Sequence, residues 1–276
     1  MSTHANAPIP AASRRLRWGV AAAIVTNVVV NELLATTVVI GDGTVAELSA
    51  RYDSLFTPAP YAFAIWGVIF ATLLSYAVVQ LLPSERRAPI YDRLAPPLIG
   101  VNLLSAAWPL VFQHCYFAAS VVVIAVMLTL SAVAFTRAQA AVATGLYSRW
   151  LAVPMALLLA WLSVATIANI ATALVAMGFT GGPVSPIAWT VILLVAATLI
   201  AGELAERYHD YLVPAVVAWS TIAIWVDRRG DEPVVAGAAL AVTGILVLHV
   251  LRQASWQLRH RRAARPSSHP RPWPAR

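Results

Sequence analysis

The chain of 276 residues has no lysine, a single cysteine and few charges of either sign. Each shortage removes a class of protein. Only 11% of its residues are charged and 60% are hydrophobic, against about 25% and about 45–50% in a soluble domain. A soluble globular enzyme is thereby excluded. The lone Cys115 excludes an intramolecular disulfide, a four-cysteine zinc site and a CxxC redox pair. Catalytic signatures of soluble folds are missing as well, with no GxGxxG, Walker A, HExxH or GxSxG. The histidines are scattered: His4 and His269 lie towards the chain ends, His249 and His260 flank a basic segment, and His114 stands beside Cys115. No metal site is expected from them.

What remains is apolar chain, with a mean hydropathy of +0.74. Eight stretches stand out, at 18–40, 61–82, 94–112, 115–135, 150–177, 187–205, 211–226 and 233–251. In lipid the backbone must satisfy its own hydrogen bonds, so runs of this length are read as helices. The fold expected is an all-α polytopic transmembrane bundle of about eight spans. The stretch 18–40 follows arginines, as a signal peptide would, but it is too long and carries Asn27, Asn31 and Glu32. It is read as a retained first span. Four segments follow: a disordered N-tail at 1–17, a five-helix core at 18–177, three further helices at 178–251 and a basic disordered C-tail at 252–276.

Arginine placement orients these spans. With eight crossings, 16 of the 19 arginines fall on the side that holds both termini. Without a crossing at 211–226 the split would be 11 to 8. Positive charge is retained in the cytoplasm, so both termini are expected there, in a bacterial cytoplasmic membrane. The C-tail reads as a bare topogenic signal or as a patch for anionic lipid; we favour the first. A second copy of the chain is a further expected partner, and nucleic acid is not.

Ionisable groups are scarce inside the stretches. Glu32 lies three residues from the middle of 18–40, about 5 Å from it at 1.5 Å per residue. A charged acid there costs on the order of 2.5–3.5 kcal/mol. Asn27, Asn31 and Glu32 therefore read either as an intramembrane polar site or as an interfacial acid bonded to its neighbours. Tryptophan is the richer signal. Trp18, Trp150 and Trp189 lie near span ends, where interfacial anchoring explains them. Trp66, Trp108 and Trp161 lie inside spans beside small or polar residues. Asn102, Ser105 and Trp108 share one helix face, and Ala165, Ala168, Asn169, Thr172 and Ala176 form a small-residue surface. A pocket for a flat apolar ligand and plain helix packing both account for that pattern.

Three segments carry a resemblance. They are Thr57-Pro58-Ala59-Pro60-Tyr61-Ala62-Phe63-Ala64-Ile65-Trp66, then Trp108-Pro109-Leu110-Val111-Phe112, then Trp161-Leu162-Ser163-Val164-Ala165-Thr166-Ile167-Ala168-Asn169. In this order they resemble the TspO/MBR family, the tryptophan-rich sensory proteins and the translocator protein of mitochondria. The resemblance covers 18–177. Tyr61 stands where compact members have tryptophan, Ala59 replaces a proline, and the Phe63–Trp66 interval is one residue shorter. The chain looks like a longer, divergent branch.

The resemblance implies a membrane receptor, sensor, carrier or scavenger that binds tetrapyrroles such as haem and protoporphyrin IX, or sterol-like lipids. It implies no required cofactor and no conventional enzyme activity. The alternatives are light-dependent porphyrin breakdown and solute transport through Glu32. The ligand-binding residues it implies are Pro58, Tyr61, Phe63, Trp66, Trp108, Trp161, Ala165 and Asn169. Trp66 and Trp161 would flank the ligand, Ala165 would leave it room, Asn169 would bridge helices and Pro58 would shape a covering loop.

Overall fold

A computed structural model describes residues 11–36, 41–82 and 88–263. Among them every regular element is helical. Helix α1 spans Ala11–Thr36, the short α2 Val45–Arg51, α3 Ile65–Val79, α4 Ile90–Gln113 and α5 Phe117–Ala143. Then come α6 at Val153–Ala176, α7 at Pro186–Tyr208, α8 at Leu212–Arg228 and α9 at Pro233–Ala263. Prolines open several of them: Pro60 a 3-10 turn ahead of α3, Pro154 and Pro186 the first turns of α6 and α7. The missing N–H of proline has no intrahelical partner to lose there.

Six of these helices are long and apolar enough to cross a membrane: Pro60–Val79, Ile90–Gln113, Phe117–Ala143, Arg149–Ala176, Pro186–Tyr208 and Pro233–His260. Helices α1 and α8 complete a set of eight long rods matching the eight apolar stretches. α8 is short, at 17 residues, and α1 carries Arg14, Arg15 and Arg17 in its first turns.

The helices outrun the boundaries that composition suggests. α1 starts at Ala11 and α9 continues to Ala263, so 11–17 and 252–263 are helical rather than tails. The remaining tail positions, with His4 and His269, lie outside the described residues, as do 37–40 of the first stretch. Arg17 and Gln257 hold these extensions against the bundle. Arg17 is 3% exposed; its guanidinium donates to Asp92 Oδ1 at 3.1 Å and to the carbonyl of Ala88 at 3.0 Å. Gln257 donates to the carbonyl of His209 at 2.7 Å. α5 likewise runs through the expected loop after 135, because the buried Gln139 donates to Asp210 Oδ2 at 2.9 Å.

Packing arranges the rods in two groups. α1 packs on α3 and α4, α4 on α5, α5 on α6, and α6 on α3, which closes a ring of five. α7, α8 and α9 pack on one another and meet the ring mainly through α8 against α6. α6 thus has protein on most sides, and the run from Leu157 to Leu162 is buried at every position. A helix apolar all round is one that belongs inside.

Candidate ligand cavity

Inside the five-helix ring lies a partly open cavity of about 690 Å³, walled in part by the loop that joins α1 to α3. From Gly41 onward the loop has several anchors. Gly41 has φ +93°, and a Cβ there would run into the backbone carbonyl of Gln113. Asp42 N–H donates to that same carbonyl at 2.8 Å. Thr44 and Glu47 then form a reciprocal capping box that starts α2. The inward side of α2 and the chain after it supply Val45, Ser49, Thr57 and Pro58 to the cavity wall. Its other side buries Leu48 with Phe112 and Phe117.

Aromatic rings form the body of the wall. Trp66 and Trp161 meet edge to face with centroids 6.4 Å apart, and Phe63 meets Trp161 in the same way at 5.7 Å. Trp108 stacks on Phe112 at 4.8 Å. Trp161 is 2% exposed, so its ring is fixed by packing. Trp108 is fixed by its indole N–H, which donates to Asn169 Oδ1 at 2.8 Å; Asn169 Nδ2 donates in turn to Ser120 Oγ at 2.8 Å. Asn169 thereby ties α6 to both α4 and α5. Behind Ala165 the cavity adjoins a recess of about 50 Å³, lined by Ala165, Ala168, Asn169 and Thr172 among others.

Six of the eight residues singled out by the motifs line the main cavity: Pro58, Phe63, Trp66, Trp108, Trp161 and Ala165. Asn169 lines the recess instead. Tyr61 does not line either one. It is 42% exposed and sets its ring against Trp219 of α8 with centroids 5.3 Å apart. Position 61 falls in the 3-10 turn Pro60–Ala64, whose tighter winding turns its side chain away from the neighbours on either side. Of the polar trio, Asn31 and Glu32 line the cavity and Asn27 does not. Asn27 is buried and donates to Asn102 Oδ1 at 2.9 Å, while Asn31 donates to Asn27 Oδ1 at 2.7 Å. The two asparagines thus form a ladder from α1 to α4, and Glu32 stands beside it in the wall. Among the described residues no cluster of three or more histidine, cysteine or acidic side chains is placed to hold a metal.

Sequence reasoning missed what holds the roof. Arg228, at the end of α8, is 5% exposed. Its Nη2 donates to both carboxylate oxygens of Asp53, at 2.6 and 2.7 Å, and to the carbonyl of Ser54 at 2.9 Å. Trp219 donates its indole N–H to the carbonyl of Ala62 at 2.9 Å, and Ala59 N–H donates to the carbonyl of Ala223 at 3.2 Å. These partners lie more than 150 residues apart, and no local pattern announces them.

Fold and site together define a class: a polytopic helical membrane protein with a roofed, aromatic-walled cavity. The sequence matches the TSPO-like protein family over residues 17–252, and the chain belongs to that family. The match runs on through α7 and α8 and most of α9, beyond the 18–177 segment that carries the motifs. Neither the curated proteins nor the solved structures give a match.

Proposed function

We propose that this protein is a membrane receptor or carrier that holds a flat hydrophobic ligand in the ring cavity, as a sensor, carrier or scavenger and without conventional enzyme activity. One observation carries the reading: six motif residues from separate segments converge on a single aromatic-walled space of about 690 Å³. Ligand pockets of about 300–1,000 Å³, mostly apolar with a few placed polar groups, are the usual size for small molecules. Indole faces add about 0.5–1.5 kcal/mol per aromatic pair beyond area burial, which suits a macrocycle or fused ring. Haem, protoporphyrin IX and sterol-like lipids are the candidates that the family resemblance supplies. Spectroscopic titration of detergent-purified protein with haemin, protoporphyrin and a sterol tests the reading. Saturable binding of at least one supports it, and no binding by any refutes it.

A second reading, light-driven porphyrin breakdown, draws on Trp66 and Trp161 lying 6.4 Å apart in the wall. Light-dependent product formation by purified protein separates the two. For topology we propose both termini in the cytoplasm of a bacterium, supported by the 16 arginines on that side. Cys115, partly exposed between α4 and α5, is the reporter. An impermeant thiol reagent should label it from outside intact cells. Burial pushes its thiol above the usual range, so labelling should quicken at alkaline pH. Labelling only after permeabilisation reverses the orientation.

A further inference from the structure

Resting on the ligand-binding reading, a finer one concerns how a ligand reaches the cavity. The cavity is partly open, and its exposed lining residues are gathered on one side. On the α4, α5 and α6 walls, Ser105, Ile124, Met127, Trp161 and Leu162 are all buried. Glu32 of α1, Gly67 of α3 and Ala64 in the turn before it line the cavity and are nevertheless exposed. Ala46 and Ala50 of α2 are exposed lining residues on the same side. The opening therefore lies between α1 and α3, with α2 at its roof end.

Its depth follows from helix geometry. α1 and α3 are neighbours, joined at the end away from the roof by a reciprocal pair of hydrogen bonds. Arg17 Nη1 donates to the carbonyl of Gln80 and Gln80 Nε2 to the carbonyl of Arg17, each at 3.2 Å. From that bridge Glu32 is 15 residues along α1 and Gly67 is 13 residues along α3, about 22 and about 20 Å at 1.5 Å per residue. The two stand at similar height on the two edges of the gap. Gly67 also lies seven residues inside the span Pro60–Val79, about 10 Å from its end. At that depth a hydrocarbon core about 30 Å thick surrounds the helix. Glycine weakens a helix interior, and a Cβ at Gly67 would meet nothing within 4 Å among the described residues. Packing does not call for glycine there; what its size preserves is a clear edge. The roof loop, by contrast, is tied to α8 at Asp53, Ser54 and Ala62.

We infer that the ligand enters and leaves sideways, from the bilayer leaflet on the roof side, through the gap between α1 and α3 rather than from water past the roof loop. The cavity thus takes compounds already dissolved in the membrane, and Gly67 sets the width of their passage.

The test uses the full-length protein in phosphatidylcholine vesicles, read by tryptophan quenching. One probe is protoporphyrin IX dimethyl ester dissolved in the bilayer. The other is the same porphyrin attached through one carboxylate to the acyl chain of a phosphatidylcholine, so that it cannot leave its leaflet. The part of the quenching that Ala165→Leu removes is the signal from the cavity, and both probes should give it. Gly67→Leu should slow loading and release of the free ester by about tenfold each and leave Kd within about threefold, because a narrowed passage acts equally in both directions. Ala71→Leu is the control. It is exposed one turn further along α3, does not line the cavity, and should load as the parent does. Parent-like rates in Gly67→Leu, or a loss of affinity carried by faster release, overturn the sideways passage and leave the ligand-binding reading intact. So does a tethered probe that gives no cavity signal where the free ester does. Failure of both probes to bind the parent overturns the ligand-binding reading itself.

Discussion

The ring of α1, α3, α4, α5 and α6 and the flanking trio of α7, α8 and α9 divide the cavity's construction unequally. From the trio a single residue, Asp227, reaches the wall. Yet α8 holds the roof through Arg228, Trp219 and the carbonyl of Ala223. Inside the ring, by contrast, buried polar groups join helix to helix, as Asn27 does with Asn102 and Asn169 with Trp108. The difference separates two properties that a pocket usually mixes. All but one of the wall residues come from the ring and its roof, and the flank anchors that roof. The comparison breaks if changes in α8 away from Asp227 alter ligand choice, or if changes in the ring wall loosen the roof.

Arg228→Met should have the largest effect. Removing one partner of a fully buried ion pair costs about 3–5 kcal/mol. Asp53 keeps 42% of its side-chain surface and regains water, so about 2 kcal/mol is expected here. Thermal unfolding in detergent measures it, and proteolysis within 41–64 should quicken. Relative affinities among neutral ligands should stay as they are. Parent-like stability together with a changed ligand order would contradict the division of roles.

Next comes the ring wall. Ala165→Leu should weaken ligand binding by about 1–3 kcal/mol, the usual range for overpacking. Its added carbons have the recess of about 50 Å³ beside them, so the loss should appear in Kd far more than in the melting temperature. Trp161→Phe keeps an apolar ring with less stacking area and should cost about 1 kcal/mol, roughly fivefold in Kd. Trp256→Phe is the control, because that ring is stacked between His209 and His260 at the other end of the bundle. Should Ala165→Leu bind ligand as the parent does, the cavity beside it is not the site.

How much of this could be read from the chain depends on how local the signal is. Apolar runs of about 20 residues announce helices by themselves, and all eight appeared, with ends displaced where polar residues found buried partners. Trp161, Ala165 and Asn169 share a face by helical spacing alone, and the structure puts the first two in one wall. Tyr61 went astray because a 3-10 turn, invisible to motif spacing, changes the direction of one side chain. Arg228 was illegible for another reason. It counts among the arginines only for topology, and its partner Asp53 lies 175 residues away. The meeting of Glu32, Asp53 and Asp227 in one wall was hidden in the same way, since it needs α8 packed against the ring.

The smallest effect sits where ring and flank meet at the opposite end. Asp210 is buried between them: its Oδ1 accepts from the N–H groups of Leu212 and Val213 at 2.7 and 3.1 Å, and its Oδ2 accepts from Gln139 of α5. It caps α8 and ties it to the ring, so Asp210→Ala should cost about 1 kcal/mol. Asp210→Asn keeps an acceptor for the cap and should cost less. The pH dependence carries the finer information. Burial raises this carboxyl above its ordinary 3.8, against the lowering effect of the two backbone N–H groups, Gln139 and Arg149. For an acid with a raised folded pKa, the associated stability is fully present below the unfolded value and is lost as pH rises through the folded one. The parent should therefore lose ground to Asp210→Asn as pH climbs above 3.8 and through the carboxylate range, then run parallel to it near neutrality. Melting curves of both proteins at pH 4, 5, 6 and 7 make the comparison. A gap that moves in the parent's favour would mean that the hydrogen bonds outweigh burial, making the charged Asp210 itself the join between ring and flank.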